Sequence, residues 1–229
     1  MGAIAPCLLA WDFACLGDAL GAMKNVGASM VHVDVMDGHF APEISVGLPV
    51  VASLRKATDL VLDVHLQIEH PERFAADFVE AGANRVSIHA ESTPRLHSIL
   101  ERVRRLGARA GIALNPATPV ESVRDILDEA DFLNLLLADV GWSDGNFNPR
   151  SLEKVSAARA MLGSAHGGGE LEVEGSIGPR NIREMFLAGA DILVVGPAIC
   201  RKVNNRDAAK FLGEMVQIAD KARDAVRPN

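Results

Sequence analysis

The stretch Val31–Phe40, which reads VHVDVMDGHF, is a run of β-branched residues that predicts a strand ending near Gly38. Side chains alternate along a strand, so His32, Asp34 and Met36 point to one face and the three valines to the other. Burying an imidazole and a carboxylate is costly unless they bind each other, a metal or a substrate. The stretch therefore predicts either a self-satisfied His–Asp pair or half of a functional site.

A second apolar run, Leu60–Leu66, carries another histidine, His65, near its end. Two strands that both end in ionisable side chains favour a metal or acid–base site over an isolated buried pair.

Strand and helix patterns alternate along the whole chain. Strands are predicted at Ile4–Leu9, Met30–Val35, Leu60–Leu66, Arg85–His89, Arg109–Leu114, Phe132–Leu137, Leu171–Glu174 and Ile192–Val195, and helices, among others, at Phe13–Val26, Pro71–Ala81, Pro94–Leu106, Pro119–Glu129 and Ile182–Ala188. A Gly-Ala pair follows four of these helices, just before the next strand, which indicates one βα unit used repeatedly. Eight nearly continuous apolar strands predict a single α/β domain over residues 1–229, a closed (β/α)8 TIM barrel. No Gly-rich dinucleotide fingerprint follows the first strand, which argues against an open doubly wound sheet.

The composition fits one large globular domain. The chain has 229 residues, of which 48% are hydrophobic, and a formal net charge of −7 with no long basic run. These values argue against disorder, a nucleic-acid partner and an anionic membrane surface. Three cysteines without paired or metal-like spacing predict a reducing, cytoplasmic location. Asp12 interrupts the first apolar run too early for a signal peptide, and no segment has the length of a membrane span.

The carboxyl ends of the predicted strands collect the chemistry, as expected for such a barrel. Two histidines, His32 and His65, and two carboxylates, Asp34 and Glu174, converge there. Nitrogen and oxygen ligands of this kind suit Zn²⁺, Mn²⁺ or Fe²⁺. Two facing carboxylates suit removal of a proton from a carbon next to a carbonyl and its return on the other side. An inert barrel with buried polar pairs is the alternative.

These residues resemble the ribulose-phosphate 3-epimerase family. The resemblance covers almost the whole chain, and its motifs are Ile4-Ala5-Pro6, Trp11-Asp12-Phe13, His32 through Phe40, Asp63-Val64-His65-Leu66, Asn115-Pro116-Ala117-Thr118-Pro119 and Ala188-Gly189-Ala190-Asp191. It implies that one divalent metal ion (Zn, Mn, Fe or Co) is held by His32, Asp34, His65 and Glu174. It also implies that Asp34 and Glu174 are the catalytic acid–base pair, acting on carbon 3 of a ketose phosphate in a homo-oligomeric enzyme.

Several positions depart from the family pattern near the metal. Glu174 stands where the family usually has aspartate. Its extra methylene moves the carboxylate by more than about one ångström, and the placement of this group affects the rate of catalysis. Cys7 replaces a substrate-facing serine and is a weaker donor. Of the methionines that usually line the pocket, Met36 remains, whereas Gln67 and Leu136 replace the other two.

The predicted grip on the distal end of the substrate is altered most. The loop after the sixth strand reads Gly141-Trp142-Ser143-Asp144, where the family usually has Gly-Phe-Gly-Gly. Asp144 adds negative charge where a phosphate would dock, and Pro197 has no N–H to donate. The predicted substrate contacts are Cys7, Met36, His65, Gln67, Gly141, Trp142, Ser143, Asp144, Gly175, Ser176, Gly196 and Pro197.

Two interpretations of the substrate stay open at this point. In the first, it is a ketose phosphate of another length or stereochemistry, with positive charge from Arg180, Arg201 or Lys202; for the last two, the alternative is an ordinary solvated helix start. In the second, the distal group is a neutral hydroxyl that hydrogen-bonds to Asp144. An aldose–ketose isomerase, a decarboxylase and a catalytically retired, ligand-binding barrel are the rival functions; the decarboxylase reading lacks the Asp-x-Lys-x-x-Asp array of related barrels.

Overall fold

The computed structural model describes residues 4–141, 147–164, 169–200 and 205–226. They contain eight parallel strands with helices between them, which confirms the predicted (β/α)8 barrel. The strands are β1 (Ile4–Pro6), β2 (Met30–Met36), β3 (Val61–Gln67), β4 (Arg85–His89), β5 (Arg109–Leu114), β6 (Phe132–Leu136), β7 (Glu170–Glu174) and β8 (Ile192–Val195).

The helices connect the strands on the outside of the barrel. The α-helices are α1 (Leu16–Asn25), α2 (Leu48–Ala57), α3 (Ala75–Glu80), α4 (Leu96–Arg105), α5 (Ser151–Ser164), α6 (Ile182–Ala188), α7 (Pro197–Cys200) and α8 (Asn205–Val226), and the 3₁₀ segments are Leu8–Ala10, Phe13–Cys15, Pro71–Arg73, Ala90–Ser92 and Val120–Glu129. Within the described ranges, every helix is too short or too polar to cross a membrane.

The strand order is β1-β8-β7-β6-β5-β4-β3-β2. The ring closes between β2 and β1 through a single parallel bridge, in which Cys7 pairs with His32. Strands β2 and β3 pair over seven residues, with Asp34 opposite His65 and Met36 opposite Gln67. This register places the side chains of the predicted site on two adjacent strands at the same height.

The alternation predicted for β2 separates two kinds of core. Val31, Val33 and Val35 belong to the apolar layer between the barrel and its helices. On the other face of the same strand, His32 and Asp34 are buried inside the barrel. Because these two side chains are polar and buried, they must be satisfied by their neighbours or by a ligand.

Four predicted segments differ from the structure. Two predicted helices begin with a separate 3₁₀ segment: Phe13–Val26 divides into Phe13–Cys15 and α1, and Pro71–Ala81 divides into Pro71–Arg73 and α3. Residues 119–129, expected to form an ordinary helix, form the 3₁₀ segment Val120–Glu129. Its apolar residues Val120, Val123 and Ile126, which are buried or packed against the core, recur every three residues, the period of a 3₁₀ helix. The first strand ends at Pro6 rather than at Leu9, because the chain turns there into a 3₁₀ segment.

Candidate active site

Asp34 lies at the centre of the polar cluster inside the barrel. Its Oδ1 atom is 3.2 Å from Nε2 of His32 and 3.2 Å from Nδ1 of His65. The same oxygen accepts a hydrogen bond of 2.7 Å from Nε2 of Gln67, and Oδ2 accepts one of 3.1 Å from Sγ of Cys7. Two imidazoles, an amide and a thiol thus hold one carboxylate.

Glu174 reaches the same two imidazoles from β7. Its Oε1 atom is 2.9 Å from Nδ1 of His65, and Oε2 is 3.5 Å from Nε2 of His32. The side chain of Asn134 on β6 donates a hydrogen bond of 2.8 Å to Oε1. His32, Asp34, His65 and Glu174 are all buried, and one ligand atom from each lies within 4.8 Å of the other three. Two nitrogen and two oxygen donors in this arrangement fit a divalent metal ion.

The charges of these four side chains depend on one another. Burial opposes ionisation of each group, but attraction to Glu174 and hydrogen bonding to Asp34 raise the pKa of His65 to about 9. Attraction to Asp34 likewise raises the pKa of His32 well above its usual range. Against the same cost of burial, the imidazolium groups hold the pKa of Asp34 well below its usual range and that of Glu174 at about 2. Protons on the imidazoles therefore balance the negative charge of the two carboxylates, which a bound cation would balance in their place.

A second layer of charged residues lies beneath the cluster. Asp63 accepts a hydrogen bond of 2.8 Å from Nδ1 of His32, so Nε2 of that ring faces Asp34 and Glu174. Arg85, which is 1% exposed, donates to Asp63 at 2.9 Å and to Glu172 at 2.8 Å. A partner on one ring nitrogen fixes the tautomer and orientation of a metal-binding histidine.

His32, Asp63 and Glu172 also offer three ligand atoms within 4.8 Å of one another. Arg85 already pairs with both carboxylates of that trio. Burial, and after it the nearby Asp63, raise the pKa of Glu172 to about 8. We therefore assign the candidate metal site to the cluster of His32, Asp34, His65 and Glu174, which we call the upper cluster.

The sequence analysis did not single out Asp63, Arg85, Asn134 or Glu172. The alternation of β3 carries a signal for the first of these, because Asp63, His65 and Gln67 are two residues apart and share a face. Glu172 and Glu174 are likewise two residues apart on β7, whereas Arg85 and Asn134 are recognisable only when the register of neighbouring strands is known.

A cavity of about 220 Å³ opens onto the upper cluster. The predicted site residues that line it are Cys7, Asp34, Met36, Gln67, Gly141, Glu174, Gly175 and Gly196, together with Leu136. Of the other candidates within the described residues, His32, His65 and Ser176 are not among the lining residues, Arg180 is exposed, and Pro197 begins the short helix α7. Trp142, Ser143, Asp144, Arg201 and Lys202 lie outside the described residues.

The turn after β7 brings the backbone close to the cavity. Gly175 has a φ of +95°, and a Cβ atom there would lie 2.8 Å from the backbone nitrogen of Ala138. Ser176 follows with a φ of +56°, an uncommon conformation for a residue with a side chain. Its hydroxyl oxygen is buried and has no hydrogen-bond partner among the described residues. Of the two residues of this turn, Gly175 is the one that lines the cavity.

Sequence and structure comparisons agree on the relatives of this chain. The sequence model of the ribulose-phosphate 3 epimerase family matches residues 3–200. A ribulose-phosphate 3-epimerase of Mycobacterium tuberculosis is 42% identical over 196 residues, which cover 86% of this chain and 85% of the relative. The enzyme of the same name from Aquifex aeolicus is 38% identical over 199 residues, covering 87% and 90%.

Solved structures of other barrels share the fold. The tryptophan synthase A-subunit of Pyrococcus furiosus superposes with a TM-score of 0.71 at 14% identity, over 96% of this chain and 98% of the other. Orotidine 5'-phosphate decarboxylase of Pyrococcus horikoshii gives 0.65 at 18% identity, over 93% and 99%. At these identities the likeness concerns the fold alone.

Proposed function

Because this chain belongs to the ribulose-phosphate 3-epimerase family and is an epimerase, an enzyme of the isomerase class, we propose that it inverts carbon 3 of a ketose phosphate. Ribulose 5-phosphate, with xylulose 5-phosphate as its product, is the first substrate to test. The observation that carries the mechanism is the buried cluster of His32, Asp34, His65 and Glu174 at the cavity.

The four side chains of this cluster would hold one divalent ion, with Zn, Mn, Fe and Co as the candidates. Nε2 of His32 and Nδ1 of His65 are the nitrogens that face the carboxylates of Asp34 and Glu174. When bound, the ion supplies positive charge that stabilises the negative charge developing on the substrate oxygens during proton transfer.

Asp34 and Glu174 are the proposed acid–base pair. One carboxylate takes the proton from carbon 3, and the electron pair of the C–H bond forms a double bond to carbon 2 as the carbonyl oxygen becomes negative. The other carboxyl group returns a proton to carbon 3 from the opposite face, and the carbonyl bond forms again. The donors Gln67 and Asn134, which bind Asp34 and Glu174 respectively, would hold the two carboxylates in place between these steps.

The proposed substrate contacts fall into two groups. Cys7, Met36, His65 and Gln67 would contact the reacting end. The distal phosphate would lie at the turns after β6, β7 and β8, with Gly141, Trp142, Ser143, Asp144, Gly175, Ser176, Gly196 and Pro197 as its contacts. The buried hydroxyl of Ser176, which has no partner in the described chain, supports a hydrogen bond at that end. A neutral distal hydroxyl is the alternative, for which Asp144 would be a partner. A homo-oligomer in the cytoplasm stays a prediction.

Turnover in D₂O tests the proposal. The metal-loaded enzyme should convert ribulose 5-phosphate and place deuterium at carbon 3, as seen by NMR. Deuterium at carbon 2 of an aldose product instead would favour an aldose–ketose isomerase. A panel of tetrose, pentose and hexose ketoses, with and without phosphate, should show the highest kcat/KM with a phosphorylated one. Purified protein that holds no metal and gains no stability from Mn²⁺ or Zn²⁺ would favour a retired barrel.

A further inference from the structure

A row of side chains leads outward from the candidate metal site through His65. Nδ1 of this ring faces Asp34 and Glu174, whereas Nε2 lies 2.9 Å from Nε2 of His89 on β4. The two rings are stacked, with centroids 4.9 Å apart, and both are 0% exposed. On the far side of the second ring, Nδ1 of His89 is 3.0 Å from Oε2 of Glu91.

Only one arrangement of protons lets Nδ1 of His65 act as a metal ligand within this row. That nitrogen must present its lone pair, so Nε2 of the same ring carries the proton and donates it to Nε2 of His89. The accepting nitrogen is then unprotonated, and the proton of His89 is on Nδ1. A carboxylate, which accepts and cannot donate when ionised, is the partner that this proton requires. Glu91 supplies it.

The carboxylate of Glu91 is itself held in place. Its other oxygen, Oε1, accepts a hydrogen bond of 2.8 Å from the backbone nitrogen of Asn115 and another from the hydroxyl of Thr118. These bonds leave Oε2 free to face His89, and the side chain of Glu91 is only 23% exposed. The loop after β5 therefore fixes the acceptor at the outer end of the row.

We propose that Glu91 and His89 are positioning residues that set the tautomer of His65 and thereby strengthen metal binding. This inference rests on the metal site proposed above. Neither residue touches the candidate metal position; each acts through the next ring inward. Partners of this kind change metal affinity by about 10- to 100-fold in known metal sites.

Zn²⁺ affinity, measured by competition with a fluorescent chelator, tests the proposal without turnover. His89→Phe keeps a ring in the stack but removes the acceptor, and we expect Zn²⁺ to bind about 10- to 100-fold more weakly. Glu91→Ala should weaken binding by about tenfold. Glu91→Gln has only one acceptor oxygen, which Asn115 and Thr118 already engage, so its NH2 would face Nδ1 of His89 and should not restore the affinity. Glu72→Gln is the matched control, because Glu72 is a carboxylate bound to nearby Thr93 but outside the row; it should change affinity by less than about twofold.

The ring nitrogens give a second readout that a merely structural role would not change. In the ¹⁵N NMR spectrum of the Zn²⁺-loaded protein, His89 should be the Nδ1–H tautomer, and Glu91→Ala should shift it away from that form. A folded His89→Phe or Glu91→Ala variant that binds Zn²⁺ as tightly as the parent would overturn the inference, as would an Nε2–H tautomer of His89 in the parent. If the parent protein itself binds no metal, the proposed metal site fails and this inference falls with it. If the parent binds Zn²⁺ and the variants bind it equally tightly, only this inference fails.

Discussion

Acidification is expected to weaken metal binding steeply, because a metal ion must displace protons from the cluster. The pKa of His65 is raised to about 9 in the metal-free protein, chiefly by Glu174 and Asp34 against the cost of burial. Its Nδ1 atom is therefore protonated across the physiological range. Below the pKa, each displaced proton changes the affinity by about tenfold, or about 1.4 kcal/mol, per pH unit.

Between about pH 8 and about pH 6, His65 alone accounts for a loss of about 100-fold, or about 2.7 kcal/mol. His32, whose pKa is also raised well above its usual range, adds to this slope in the same direction. Mn²⁺ binding can be followed from the EPR signal of the free ion across this range. Calorimetry in two buffers with different ionisation enthalpies should count one to two protons released per ion bound.

The same shift has a consequence for the stability of the metal-free protein. The pKa of His65 is about 9 in the folded chain against 6.5 for an ordinary histidine, so the folded state binds the proton more tightly. The stability that His65 contributes is present below about pH 6.5 and is lost as the pH rises towards 9. The Tm of metal-free protein should fall over that window.

An affinity for Mn²⁺ that changes less than about threefold between pH 6 and 8 would refute this account of the cluster.

Three substitutions test other parts of the site. Glu174→Gln should lower kcat on the preferred ketose phosphate by about 10²- to 10⁴-fold, which is the usual contribution of an acid–base group. Glu174→Asp should keep or improve activity on ribulose 5-phosphate. A glutamine variant with the same kcat as the parent would exclude an acid–base role. Arg85→Leu leaves Asp63 buried without its guanidinium partner and should lower the free energy of unfolding in urea by about 3–5 kcal/mol. A loss of less than about 1 kcal/mol would contradict the stabilising role of this ion pair. Gly175→Ala combines a positive φ with a Cβ contact to Ala138, so it should destabilise the metal-free protein by about 1–3 kcal/mol in the same assay, unless that turn relaxes at no cost.

The alternation of strands and helices along the chain made the barrel predictable, and the alternation of side chains within a strand made the upper cluster predictable. The period of two in β2 separates His32 and Asp34 from the valines, and the strand ends of a parallel barrel converge by topology. The same convergence grouped these residues with His65 and Glu174, and the resemblance to the family added the ketose phosphate and its reacting carbon. The structure brings all four together, within 4.8 Å of one another.

The alternation of β3 places Asp63 on the face of His65, but the contacts of the lower layer were not predictable from sequence, because they depend on register. Arg85 meets Asp63 on the preceding strand, 22 residues away, and Glu172 on β7, 87 residues away. A single arginine near the start of a predicted strand gives no local sign that it is buried. The outward row had the same limit: His89 ends β4, but its contact with His65 depends on how β3 and β4 pair.

The exchange of aspartate for glutamate at position 174 is compatible with an active site. The carboxylate of Glu174 contacts both imidazoles, and Asn134 holds the oxygen nearest to His65. A buried group of two carboxylates and two imidazoles contributes little to stability, and apolar residues of similar volume would serve the fold at least as well. Because the chain keeps all four, together with a cavity that reaches Asp34 and Glu174, the arrangement is better explained by chemistry at the cavity than by decay.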